Sequence, residues 1–96
     1  MCSGDVNKRA SVIFSGRVQG VGFRFTVVDL AERRQVNGFV RNLWNGDVEL
    51  VAEGPELDLL KLMKDIRSSR LGRYITRERP QWMAATGEFE RFEVRY

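Results

Sequence analysis

Gly16-Arg17-Val18-Gln19-Gly20-Val21-Gly22-Phe23-Arg24 is the stretch at which the chain changes its period. Ahead of it, residues 9–15 (Arg-Ala-Ser-Val-Ile-Phe-Ser) carry the β-branched and aromatic residues of a strand. Behind it, Phe23, Val27, Leu30 and Ala31 stand at i, i+4, i+7 and i+8, with Asp29, Glu32, Arg33 and Arg34 on the polar side. That spacing predicts a helix over 23–35, stopped by Asn37-Gly38, where glycine would supply a left-handed cap. A strand therefore passes into a helix through a loop rich in glycine. Such a loop can turn several backbone N–H groups toward one point, and the helix N-terminus adds partial positive charge. Arg24 brings a planar fork of donors suited to a phosphoryl group. A plain tight connection is the simpler reading of the glycines. A cation in the first helical turn, however, opposes the helix dipole unless an anion lies between them.

Working outward, Phe39–Trp44 and Asp47–Glu53 read as two strands joined by Asn45-Gly46, a dipeptide suited to a two-residue hairpin turn. Val48, Leu50 and Ala52 alternate with Glu49, Val51 and Glu53, the pattern of a half-buried strand. Gly54-Pro55 ends that strand and starts a helix to about residue 68, with a broad core-facing stripe of Leu59, Met63 and Ile66 and, beside them, Leu60 and Leu62. Ser68–Gly72 reads as a loop. Residues 73–83 favour a strand that Pro80 confines to a sheet edge or a bulge, and Phe92, Val94 and Tyr96 alternate along a last strand. The order is β-α-β-β-α-β, with the late β region open to splitting in two. It predicts two helices on one face of an antiparallel sheet of four to five strands, the ferredoxin-like two-layer α+β sandwich. The first and third strands are central in that plan, so the glycine loop leaves the middle of the sheet.

Ninety-six residues, 43% apolar and 30% charged, suit a single domain over 9–96, with residues 1–8 as a disordered polar tail. No apolar run approaches the roughly 20 residues of a membrane span, and the N-terminus lacks a signal-peptide core. The expected location is the cytoplasm, the expected state a monomer. Cys2, the single cysteine, can form no internal disulfide, and no role is expected for it. With no histidine and one thiol, neither a metal nor a cofactor is expected. The net charge of +3 favours small anions without implying nucleic acid.

Asn42 is a polar residue inside a hairpin strand, where asparagine is depleted. It can serve a backbone or cross-strand hydrogen bond, or hold a water molecule through one donor and one acceptor. The two runs G-R-V-Q-G-V-G-F-R and G-F-V-R-N-L-W-N-G-D-V-E, their separation, the Gly-Pro before the second helix and the closing Phe92-Glu93-Val94-Arg95-Tyr96 together resemble the acylphosphatase family. The likeness runs from about residue 9 onward and is weakest over 68–87. It implies metal-independent hydrolysis of acyl phosphates to carboxylate and inorganic phosphate, the latter also an inhibitor. It implies that Arg24 and the backbone N–H groups of Gln19, Gly20, Val21, Gly22 and Phe23 bind the phosphoryl group, while Asn42 holds the attacking water. Two other readings compete. One is a related module that binds phosphate or carbamoyl phosphate without turnover. The other is an RNA binder on the same plan, for which Phe92 and Tyr96, read as core residues, leave too few stacking aromatics.

Overall fold

The computed structural model describes residues 7–96, which leaves Cys2 and most of the expected tail outside the described residues. The chain forms β1 (Asn7–Gly16), α1 (Phe23–Glu32), β2 (Asn37–Asn42), β3 (Val48–Pro55), α2 (Glu56–Ser68), a short 3-10 helix (Arg70–Tyr74), β4 (Ile75–Ala84) and β5 (Phe92–Arg95). The first strand begins at Asn7, so Asn7 and Lys8 belong to the domain and not to the tail. The late β region does split, and the five strands lie in the order β4-β1-β3-β2-β5.

Three pairings are antiparallel. β3 lies between β1 and β2, with Val12 opposite Leu50 and Val40 opposite Leu50. β4 runs beside β1 as an edge strand, and Pro80, opposite Val12, stands where a missing N–H costs least. The fourth pairing corrects the all-antiparallel expectation: β5 runs parallel to β2, Gly38 opposite Phe92 through Arg41 opposite Arg95. The sheet is mixed because the chain leaves β4 at one edge and crosses its whole width to reach the other.

Both helices cover one face. Val12 and Phe14 of β1, Val40 of β2, Val48, Leu50 and Ala52 of β3 and Phe92 of β5 are buried against Phe23, Val27 and Ala31 of α1 and Leu59, Leu62, Met63 and Ile66 of α2. The two stripes read from the sequence are these, except that Leu30 is only half-buried and Leu60, read as part of the second stripe, is exposed.

Three local expectations fail for identifiable reasons. α1 ends at Glu32, three residues early, and its cap is Arg33 at φ −85°. Gly38 lies in β2 instead, at φ 152°, where a Cβ would run into the Val51 carbonyl oxygen. Close approach between strands, not helix capping, calls for glycine there. The hairpin has a three-residue loop, Trp44-Asn45-Gly46: Leu43 N–H donates to Asp47 O at 2.8 Å and Gly46 N–H donates to Leu43 O at 3.1 Å. Only Gly46 takes positive φ, at 97°, as in a type I turn closed by a glycine bulge.

The connection from β4 to β5 crosses the sheet face that bears no helix, and each strand it passes holds it. Arg9 of β1 donates to Thr86 Oγ1 and to Glu88. Glu53 of β3 accepts from the N–H groups of Thr86 and Gly87, both at 2.9 Å, and from Arg9 Nε at 2.7 Å. Asn37 of β2 donates to Phe89 O, and Gly38 N–H donates to Arg91 O. Glu53 is the buried charged side chain of the described core, 6% exposed. Burial works to raise its carboxyl pKa, but the Thr86 N–H, the Arg9 guanidinium and the Gly87 N–H outweigh it and hold the group below the usual carboxylate range.

Candidate active site

The glycine loop leaves β1 beside the middle of the sheet and ends in α1. Gly20 and Gly22 take φ 81° and 78°, and Val21 between them does not have positive φ. Alternation across the two halves of backbone space turns successive N–H groups toward one concave side. Among the described residues, the N–H groups of Gln19, Gly20, Val21 and Gly22 donate to no protein acceptor. Phe23 begins α1, whose Gly22 cap offers no side-chain acceptor and whose first turn holds no acidic residue. Its N–H is therefore one of the orphan donors of a helix start. Five consecutive donors are left without a protein partner.

A cavity of about 270 Å³ opens over this loop, lined by Val18, Gly20, Gly22, Phe23, Arg24, Phe25 and Asn42. Arg24, half-buried in the first turn of α1, has no carboxylate within ion-pair distance among the described residues. Its Cζ lies 5.0 Å from the centre of the Tyr96 ring, so an aromatic face steadies the guanidinium without neutralising it. Asn42 closes β2 on the opposite wall, and its Oδ1 is buried without a hydrogen-bond partner. A buried carbonyl oxygen left unpaired costs roughly 1–3 kcal/mol, which a donor entering the cavity would recover.

Of the residues singled out from the sequence, Arg24, Asn42, Gly20, Gly22 and Phe23 meet around this cavity. Val21 and Gln19 do not line it. Val21 packs toward the core. The Gln19 side chain instead donates from Nε2 to Leu43 O at 2.7 Å and Asp47 O at 2.8 Å, fastening the loop to the hairpin that carries Asn42. Three contributions went unread. Gln19 acts across 24 and 28 residues of sequence, for which no local signal exists. Tyr96 was taken for a core residue and is 92% exposed. Phe25 did leave a trace: it sits two residues from Phe23, about 200° around the helix, as an apolar residue off the core stripe.

A two-layer α+β sandwich that joins an uncapped helix start, a glycine cradle and an arginine unpaired among the described residues has the chemistry of an anion site. Comparison with known proteins narrows it. The acylphosphatase family model matches residues 10–94. Acylphosphatase of Methanospirillum hungatei is 49% identical over 65 residues, 68% of this chain and 71% of that one. Acylphosphatase of Paenarthrobacter aurescens is 39% identical over 90 residues, 94% of this chain and 96% of the other. The crystal structure of acylphosphatase from Bacillus subtilis superposes with a TM-score of 0.86 at 32% identity, over 93% of this chain and 99% of that one. The chain belongs to the acylphosphatase family, and its activity is the hydrolysis of acyl phosphates.

Proposed function

We propose that the cradle and Arg24 hold the phosphoryl group of a small acyl phosphate while Asn42 orients the water that attacks phosphorus. The observation that carries this reading is the buried, unpartnered Oδ1 of Asn42 on the same cavity as Arg24. An amide there accepts from the water through Oδ1 and turns its lone pair toward phosphorus. The water oxygen forms the new P–O bond, the bond between phosphorus and the acyl oxygen breaks, and the carboxylate leaves. The water proton passes to a phosphoryl oxygen of the substrate, since among the described residues no carboxylate, histidine or thiol lines the cavity. The five free N–H groups of Gln19 to Phe23 and the guanidinium of Arg24 oppose the charge on the equatorial oxygens, in fixed positions. A carboxylate is a good leaving group, so positioning and charge stabilisation suffice.

In this reading the described residues of one chain supply the cavity lining; a monomer is the proposed working unit, the cytoplasm its proposed location, and inorganic phosphate its proposed product and inhibitor. No nucleic-acid partner is proposed: Arg95 lies 4.3 Å from the Phe39 ring and Arg41 5.8 Å from it, so residues suited to base stacking stack on one another. The test is hydrolysis of benzoyl phosphate in EDTA and ¹⁸O-labelled water. Turnover should persist, with label in phosphate and none in benzoate. Label in benzoate would mean attack at the acyl carbon and overturn the role given to Asn42. A folded protein that binds phosphate without releasing any from substrate would be the binding module instead.

A further inference from the structure

We infer that Phe25 forms an acyl subsite and biases the enzyme toward acyl phosphates with aromatic or branched apolar acyl groups; this rests on the phosphoryl-binding reading above. The cavity of about 270 Å³ holds about nine waters at ~30 Å³ each. A phosphoryl group has only four non-hydrogen atoms, so more than half of the space remains for the rest of the substrate. The walls divide by polarity. Gly20, Gly22, Arg24 and Asn42 supply donors and one acceptor, whereas Val18 and Phe23 are buried and belong to the core. Phe25 is the one large apolar side chain of the lining that stands in solvent, 64% exposed. It follows Arg24 directly in the first turn of α1, so its position is fixed by the same helix that fixes the guanidinium. The phosphoryl group is bound through polar atoms, and its acyl substituent must leave the cradle through the remaining space. An apolar acyl group then covers part of the Phe25 ring, whereas an acetyl group is too short to gain much from it. Edge or face contact between rings adds to the area effect for an aromatic acyl group.

The test compares benzoyl phosphate and acetyl phosphate as substrates of wild type, Phe25→Ala and Phe25→Leu. Covering about 50 Å² of ring corresponds to about tenfold in affinity. The ratio of kcat/KM for benzoyl over acetyl phosphate should fall about tenfold in Phe25→Ala, through KM, and less in Phe25→Leu. Competitive inhibition by inorganic phosphate, read on the same preparations, reports an intact cradle. Equal losses on both substrates, or an unchanged ratio, would overturn the subsite while leaving the hydrolytic reading in place. Wild type inert toward both substrates would remove the hydrolytic reading itself, and the subsite with it.

Discussion

Replacing Arg24 with alanine removes a guanidinium that stacks on Tyr96 and meets no carboxylate, so little stability depends on it. In the proposed function its positive charge is nonetheless central to the cradle. Arg24→Ala should lower kcat/KM by about 10³-fold or more, by analogy with arginines that stabilise phosphoryl transfer. It should also weaken inhibition by phosphate, as an inhibition constant will show. Asn42→Ala should lower kcat by about 10²–10³-fold, the cost of one well-placed polar group, and leave phosphate inhibition nearly unchanged. If Asn42→Ala weakens phosphate binding and spares kcat, the asparagine binds the phosphoryl group and the water is held elsewhere. Asn42 stood out in the sequence only as a polar residue in a strand, and the family resemblance alone implied its water, whereas the placing of Gly20, Gly22 and Arg24 was legible from local chemistry. Positive φ and a bidentate fork belong to single residues and their immediate neighbours, so a local pattern records them. Tyr96 was not, because an alternating aromatic at a strand end reads alike whether it faces the core or a neighbouring guanidinium.

The elements matter to catalysis through their joints. The glycine loop and the β2–β3 hairpin carry opposite sides of the site, and the Gln19 side chain bonds one to the other through two carbonyls, one of them adjacent to Asn42. Gln19→Ala should lower kcat about tenfold or more, since a misplacement near 1 Å can cost up to ~10²-fold. The loss of two neutral hydrogen bonds should lower stability by only about 1–2 kcal/mol. Steady-state kinetics well below the melting transition separates the effects, and an unchanged kcat there would reduce the bond to a purely structural one. Helix stripes and strand alternation were readable because they repeat along the chain. The hairpin loop was misread by one residue because Asn45-Gly46 suits two turn types, and the bonds of Leu43 to Asp47 and Gly46 select between them.

Across the whole molecule, the crossing segment between β4 and β5 decides the sheet's order, and no periodicity in the sequence encodes where it lands. Glu53 shows why: in sequence it is one polar residue of an alternating strand, and in the fold it accepts from Arg9, Thr86 and Gly87, 33 to 44 residues away. Its native pKa lies below the unfolded value near ~4.3. Its contribution is therefore fully present above about pH 4.3 and is lost as pH falls through the lower native value. Thermal melts of wild type should show an acid limb in that window. Glu53→Gln should flatten that limb and cost about 2–3 kcal/mol at neutral pH, where Glu88 is then the carboxylate partner left to Arg9 among the described residues. An acid limb unchanged by Glu53→Gln would assign it to other carboxylates.

The same segment works as a belt fastened at every strand it passes, with Glu53 as its buried buckle. With the belt in place β5 caps β2, and the rim on that side is four residues long and stacked with arginine and phenylalanine, while the longer β4 forms the opposite rim. A belt of this kind ties the two rims of the sheet to each other, and on the β5 side it leaves only four residues of backbone for another chain to pair with.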